Sequence, residues 1–227
     1  MPLKGAERFF GELRILKQFM KIKKRGQRFS KEVFTDEQSS FISNPEYVAE
    51  HVVETIAGLG DFKSAVELCC CIGTTCIQLA KRISYVIGVD SNNSRIEMAR
   101  KNAELYGVSG KTKFIVGDVL DIELLKSIKA DVAVLDPGWA TRPMDRSSHV
   151  SDVNLTQPSL KKMFDLTNQY VTKNIVARVP ATFTHDTLKE LGYCKIDNII
   201  INNEIVFKVC YFIGDMEEFR EEDIKFE

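Results

Sequence analysis

Nowhere in the chain do 18 apolar residues run together, so no segment of its 227 residues reads as a membrane-spanning helix. The first 31 residues are too basic and too interrupted for a secretory leader, and the expectation is a protein that stays inside the cell. Six cysteines are present, but no C-x-x-C pair and no histidine-rich companion, so neither a zinc site nor a disulfide framework is expected. Cys69, Cys70, Cys71, Cys76, Cys194 and Cys210 read instead as small buried hydrophobes, with a redox role as the alternative. Histidine is scarce too: His51, His149 and His185 offer no base of clear placement and read as surface or helix-cap residues. Tryptophan occurs once, at Trp139.

What is present is ordinary for one globular α/β domain, with 44% hydrophobic and 28% charged residues. The formal charge of −1 hides an asymmetry. Residues 1–31 carry ten lysines or arginines against two acids, a balance of +8, which leaves 21 basic and 30 acidic side chains, a balance of −9, for the rest. A basic arm on an acidic body points to a polyanionic partner held at one end; a solvated tail is the alternative.

Within that arm, Phe9, Leu13, Leu16 and Met20 keep helical spacing, which predicts an amphipathic helix over Glu7 to Lys24 with a basic exit running to Arg28. Phe29 to Ser43 shows no period and reads as a loop. Asn44-Pro45-Glu46 starts a helix that ends at Gly58 to Gly60. Strands and helices then alternate. Strands are predicted at Ala65–Cys69, Tyr85–Val89, Thr112–Val116, Val132–Leu135 and Asn174–Val179. Helices are predicted from Cys76 to Arg82, Asn93 to Tyr106, Ile122 to Ile128, Ser159 to Tyr170 and Thr184 to Leu191. Two final β segments, Tyr193–Ile200 and Ile205–Ile213, flank Asn202-Asn203, a hairpin-turn signal. Ala140 to Gln157 is a long polar connection, and Asp215 to Glu227, with seven acids and two bases, reads as a frayed tail.

The stretch Ala133-Val134-Leu135-Asp136-Pro137-Gly138-Trp139 organises the rest. A fully apolar run predicts a strand buried on both faces, and Pro137 must end it, since proline cannot donate to a ladder. Asp136 therefore sits at a strand's carboxyl end, where open α/β sheets place ligands. An acceptor-only carboxylate beside a large aromatic suits a flat base bearing an exocyclic amine. The alternative is a half-buried tryptophan closing the core.

A strand, a tight turn and a helix around Glu67 to Arg82, with Asp90 23 residues after Glu67, fit either a dinucleotide or S-adenosylmethionine. A pyrophosphate needs glycines at G-x-G-x-x-G, yet Cys69 and Cys71 occupy two of those places and only Gly73 remains. Four acids at or near successive strand tips, Glu67, Asp90, Asp118 and Asp136, favour the sulfonium cofactor.

Longer matched runs are more specific. These are Phe41-Ile42-Ser43-Asn44-Pro45-Glu46, Ile72-Gly73, Ile87-Gly88-Val89-Asp90, Ala99-Arg100-Lys101-Asn102-Ala103-Glu104-Leu105-Tyr106-Gly107, Phe114-Ile115-Val116-Gly117-Asp118, Asp136-Pro137-Gly138-Trp139 and Asn174-Ile175-Val176. Through them the chain resembles the trimethylguanosine synthase family, which methylates the exocyclic N2 of the 7-methylguanosine cap of small RNAs.

That resemblance implies a class I, Rossmann-like S-adenosylmethionine-dependent methyltransferase. Its expected form is a seven-stranded, mostly parallel sheet with a C-terminal β-hairpin over residues 44–214, preceded by a basic helical extension at 1–43 and followed by an acidic tail at 215–227. Asp90 would hold the ribose and Asp118 the adenine, with Glu67 and Gly73 at the methionine end and Cys69, Thr74, Thr75, Ser91, Val119 and Asp136 completing the cofactor site. Asp136, Pro137 and Trp139 would form the catalytic turn, the indole stacking on the cationic purine. Phe41, Asn44, Asn174, Arg178, Lys24 and Arg28 would meet the capped RNA. S-adenosylhomocysteine would be the product, with no metal involved.

The implied product is 2,7-dimethylguanosine and, after a second transfer, 2,2,7-trimethylguanosine, on small nuclear or nucleolar RNAs and hence in the nucleus. The alternatives are an amino-methyltransferase for internal tRNA or rRNA guanines, and a non-catalytic cap- or RNA-binding protein. The chain departs from its relatives in three places. The family usually has Ser-Pro-Pro-Trp at the catalytic turn, an aromatic residue and a glycine at positions 69 and 71, and Pro-Arg where this chain has Pro180-Ala181. Arg178 or the basic arm is the expected substitute for that phosphate-binding arginine.

Overall fold

The computed structural model describes residues 28–139 and 150–226. The helix expected over Glu7 to Lys24, Lys24 itself, His149 and the Ala140 to His149 part of the polar connection lie outside the described residues.

Helix α1 (Glu37–Ile42) leads into α2 (Glu46–Leu59), after which strands and helices alternate: β1 (Ser64–Leu68), α3 (Thr74–Arg82), β2 (Tyr85–Asp90), α4 (Asn93–Leu105), β3 (Thr112–Val116), α5 (Ile122–Ser127), β4 (Val132–Leu135), α6 (Leu160–Tyr170), β5 (Ile175–Pro180) and α7 (His185–Lys189). Three strands close the chain, β6 (Lys195–Ile201), β7 (Glu204–Phe212) and β8 (Arg220–Phe226). All eight join one sheet in the order β3-β2-β1-β4-β5-β7-β6-β8. The first five strands are mutually parallel, while β7 runs antiparallel to both β5 and β6.

Strand periodicity decides what each face buries. On β4, Val132 and Val134 pack with α2, α3 and α4, whereas Ala133 and Leu135 pack with α5, α6 and α7. The same alternation divides β1: Ala65 joins the first cluster, Val66 and Leu68 the second. Two apolar layers thus sandwich a sheet whose central strands are buried on both sides, which is why they read as unbroken hydrophobic runs.

Two expectations needed correction. The tail is not frayed: residues Arg220–Phe226 add an eighth strand parallel to β6, making eight strands instead of seven. Its acids are neutralised on the sheet, Glu222 by Lys195 at 3.1 Å and Glu221 by Lys208 at 3.2 Å, while Phe226 packs on Tyr47 with ring centroids 5.0 Å apart. Cross-strand charge pairing therefore turns an acidic segment into an edge strand. The segment expected as loop contains α1, whose first turn is capped by Asp36 accepting from Ser39 N–H at 2.6 Å. The hairpin turn is as expected, with Asn202 and Asn203 both in the left-handed region at φ 55° and 63°.

Residues 28–36 lie across the α3–α4 side as a strap. Glu46 accepts from Ser30 N–H at 2.6 Å and Ser30 Oγ at 2.9 Å, and from Tyr106 Oη at 2.9 Å. Asn102 grips the strap in both senses, accepting from Phe34 N–H at 2.8 Å and donating to Phe34 O at 3.0 Å. The same Asn102 amide donates to Ile72 O in the loop after β1, at 3.1 Å.

Candidate active site

Strand order reverses between β1 and β4, since β2 and β3 continue to one side of β1 and β5 continues beyond β4. The carboxyl ends of β1 and β4 therefore open onto a crevice. Asp136 N–H donates to Leu68 O at 3.1 Å, which holds the two strand ends together just below it.

The loop leaving β1 has the backbone of a glycine-rich turn built largely from cysteines. Cys69 and Cys71 both adopt left-handed conformations, φ 68° and 50°, which cost a β-carbon-bearing residue on the order of 1–3 kcal/mol each. Gly73, at φ 80°, precedes the first turn of α3, and a Cβ there would lie 3.1 Å from both Ala99 Cβ and the Phe114 ring. That one position requires glycine on two counts, conformation and space.

Glu67 is buried beneath this loop. Its carboxyl accepts from Cys76 N–H and Cys76 Sγ, both at 2.9 Å, and so satisfies the start of α3. Burial pushes its pKa up to about 8, the nearby Asp136 charge adding to the rise and the Cys76 contacts opposing it. The side chain is thus predominantly a neutral acid at pH 7. Thr74 and Thr75, the first residues of α3, are buried too, and Thr75 Oγ1 accepts from Asn44 Nδ2 at 3.2 Å.

At the tip of β2, Asp90 accepts from Cys71 N–H and Asn92 N–H, both at 2.9 Å, which ties the cysteine loop to β2; Ser91 beside it is exposed. Past β3, Asp118 is exposed and accepts from Leu120 N–H at 2.9 Å, while Val119 is buried against the second core layer. Following the strand order, the acids stand in a spatial row: Asp118, Asp90, Glu67, Asp136. S-adenosylmethionine carries a net positive charge and offers amine and hydroxyl donors, so a row of acceptors at the strand tips fits it.

Asp136 is one-tenth exposed, and its Oδ1 accepts from Arg178 Nε at 2.6 Å. Burial raises its pKa, Arg178 pulls against that rise, and Asp90 adds to it. Pro137 is buried, and Gly138 pairs in both directions with Gln157, N–H to O at 2.8 Å and O to N–H at 2.7 Å, fixing the turn. Trp139 is half-buried and packs on the first core layer. The Arg178 guanidinium lies 4.7 Å from its ring centroid and 5.2 Å from that of Phe207.

Several expected substrate residues have different placements. Arg178 commits every guanidinium nitrogen inside the protein: Nε to Asp136, Nη1 to Asn44 Oδ1 at 2.8 Å and Nη2 to Ile42 O at 3.0 Å. The structure therefore does not bring it to a phosphate. Arg28 donates from Nη2 to Phe41 O at 3.2 Å and to Ser43 O, closing the strap on the end of α1, where Phe41 is half-buried. Asn174 lies at the opposite, amino end of β5, where Nδ2 donates to Asp131 O at 2.9 Å. It bridges strands below the sheet, far from the crevice. Asn44, in contrast, sits between Thr75 and Arg178 and links the loop to the catalytic turn.

Sequence reading missed Asn102 and Asp197. Asn102 carried a signal, its place in the long matched run ending at Gly107, but its partners are distant in sequence. His51, expected at the surface or a cap, lies within α2 with Nε2 2.8 Å from Asp197 Oδ2. The Asp197 side chain is fully buried and also contacts Lys195 Nζ. His185 is exposed and meets Glu221 at 2.9 Å. All six cysteines are free; five are buried and Cys69 is half-buried. Among the described residues no cluster of histidine, cysteine and acidic side chains could hold a metal ion.

Comparison with known proteins agrees with this geometry. A solved structure from Porphyromonas gingivalis, described as a methyltransferase, superposes with a TM-score of 0.62 over 91% of this chain and 48% of its own, at 16% identity. The S-adenosylmethionine-dependent methyltransferase of Agrobacterium tumefaciens superposes with a TM-score of 0.51 over 66% of this chain and 50% of its own, at 17% identity. These establish the class I methyltransferase fold. In sequence, the tRNA (uracil(54)-C(5))-methyltransferase of Pyrococcus furiosus is 29% identical over 61% of this chain, and the trimethylguanosine synthase of Schizosaccharomyces pombe 29% identical over 49%. The chain spans 34% of the first and 48% of the second, less than half of either relative. The family model for RNA cap guanine-N2 methyltransferases matches residues 62–215, more than half the chain and the whole of the crevice from β1 through β7. With a class I methyltransferase fold and its acceptor row at the switch of strand order, this chain belongs to the RNA cap guanine-N2 methyltransferase family.

Proposed function

We propose that the protein methylates the exocyclic N2 of guanine in the 7-methylguanosine cap of an RNA. The observation that supports this most directly is the corner formed by Asp136 and Trp139 at the end of β4, an ionisable acceptor beside the chain's single indole, at the edge of the cofactor row. S-adenosylmethionine supplies an electrophilic methyl carbon to such a site. Asp90 and Asp118 would take the ribose and adenine donors, with the cysteine loop and Glu67 at the methionine end.

The protein's own contribution is to hold the base. Asp136 Oδ1 is committed to Arg178, while its second oxygen has no hydrogen-bond partner among the described residues and so can accept an N–H of the guanine amine. That bond orients the nitrogen lone pair and leaves an acceptor for the proton released after transfer. An aryl amine is a weak nucleophile, so positioning carries much of the acceleration. The indole of Trp139 offers a face for the purine, and a positive charge at N7 adds on the order of 0.5–2 kcal/mol of cation–π attraction. Small nuclear and nucleolar RNAs, and hence a nuclear site of action, are the substrates and place this reading implies. The basic segment before Arg28 supports a salt-dependent grip on the RNA chain.

A second reading, amino-methylation of an internal tRNA or rRNA guanine, draws on the tRNA methyltransferase relatives and on Asp136 replacing the usual serine. Incubation with labelled S-adenosylmethionine and, in parallel, GpppG and m7GpppG separates the two. Label entering m7GpppG at N2 is expected; label entering unmodified transfer RNA but neither dinucleotide would overturn the cap reading.

A further inference from the structure

Arg178 and Asp136 form the one ion pair at the crevice in which both side chains are nearly buried, exposed by 12% and 10% among the described residues. The guanidinium is held from every direction. Nη1 and Nη2 are fixed by Asn44 and by the Ile42 carbonyl at the end of α1, and its central carbon lies 4.7 Å from the Trp139 ring centroid and 5.2 Å from that of Phe207. A planar fork with all three nitrogens committed, beside two aromatic rings, is held in one orientation. Arg178 and Asp136 also share a sheet face. On β5 the residues of the α2 side are Val176 and, two further on, Arg178; on β4 they are Val132 and Val134, with Asp136 next in the same alternation.

We propose that Arg178 is a positioning residue for the methyl transfer: it fixes the Asp136 carboxylate as an ionised acceptor with one oxygen turned to the base, and fixes the plane of the Trp139 indole. This rests on the reading that Asp136 and Trp139 receive the guanine. It replaces the expectation that Arg178 binds cap phosphates, since all three of its nitrogens are drawn to partners inside the protein, Asp136, Asn44 and the Ile42 carbonyl.

The charge environment shows why a cation is needed there. Asp136 faces Arg178 on β5, Asp90 on β2, and Glu67 and Cys69 on and after β1. Burial disfavours a negative charge on Asp136 and the Asp90 carboxylate does the same, whereas Glu67 and Cys69 carry no compensating positive charge. Arg178 is the only countervailing charge among them. Without it, the carboxyl would take up a proton at a higher pH, and a protonated acid is a poorer acceptor for the amine. The same loss would uncover one face of the indole and remove the bond that joins the catalytic turn to Asn44 and α1.

The test uses the full chain with Arg178→Met, which keeps an apolar stem, and Arg178→Lys, which keeps the charge but not the fork. The Asp136 carboxyl carbon is followed by NMR with 13C-labelled aspartate, assigned by comparison with Asp136→Asn. Acrylamide quenching of the single tryptophan is measured on the same samples; neither measurement needs RNA. In Arg178→Met the Asp136 titration should move up by about 1–3 pH units, the size of a close opposite charge, and quenching of Trp139 should increase. The acid limb of kcat/KM on m7GpppG should move by the same amount. In Arg178→Lys the titration should stay near that of the parent while quenching increases.

An unmoved Asp136 titration in a folded Arg178→Met protein overturns the proposal. If that variant does not fold, unchanged quenching in Arg178→Lys overturns it instead. A parent that fails to methylate m7GpppG sinks the cap reading, while the titration still decides what Arg178 does to Asp136.

Discussion

Replacing Asn102 by alanine should release the strap without unfolding the domain. The Asn102 side chain is 1% exposed and makes three hydrogen bonds, two to Phe34 and one to Ile72 O. A typical buried hydrogen bond contributes a net of about 1 kcal/mol, which suggests about 3 kcal/mol for the set. Phe34 is 47% exposed, so its backbone groups regain water once the strap lifts, and their loss is partly offset. Ile72 is 1% exposed, and its carbonyl has no such recourse; leaving it unpaired costs about 1–3 kcal/mol by itself. The expected net effect is a local destabilisation of about 2–3 kcal/mol, or about 30- to 150-fold in the opening equilibrium. Amide hydrogen exchange at Phe34 measures that opening, and the central strands serve as an internal reference. Asn102→Asp is the control: it can still accept from Phe34 N–H, but sets a carboxylate oxygen against two carbonyls and should open at least as far. Unchanged Phe34 exchange in Asn102→Ala, or native protection in Asn102→Asp, would refute the assignment of the strap to this amide.

Trp139→Ala should abolish methylation of m7GpppG while leaving S-adenosylmethionine affinity, measured by calorimetry, close to that of the parent; equal loss of both would contradict the stacking role. Asp197→Asn should lower stability to urea by about 3 kcal/mol, the lower end of the range for a broken buried pair because Lys195 and His51 are each partly exposed. The Asp197 carboxyl lies below its ordinary value despite burial, held there by His51 and Lys195, so its stabilisation is present above about pH 4 and is lost as the pH falls below that; in Asp197→Asn this acid-side loss should shrink. Glu67 has the opposite sign. Burial lifts its pKa to about 8, so stability is fully present below about pH 4.5 and declines as the pH rises toward 8. Denaturation of Glu67→Gln at pH 5 and pH 8 should show less of that decline, and an undiminished one would mean Glu67 is not its source.

The sequence by itself determined the β/α alternation, because an apolar run four or five residues long between turn residues has few other uses. It also placed Asp90, Asp118 and Asp136 at strand ends, since Gly117 and Pro137 mark where those strands stop. The cysteine loop was legible as a tight turn between β1 and α3, but the glycine-like backbone of Cys69 and Cys71 was not, since their side chains argue against it. What the tertiary structure decided were the partners. Asp136 and Arg178 are 42 residues apart, Phe34 and Asn102 are 68 apart, and His51 and Asp197 are 146 apart. No local pattern encodes such pairs, because each depends on which strands become neighbours and which face a helix covers. The acidic tail shows the same limit. Composition argued for a solvated end, but Lys195 and Lys208 on β6 and β7 supply the opposite charges that make it a strand. Side-chain chemistry is written residue by residue, whereas the dielectric and the partner that set its role exist only once the sheet has closed around it.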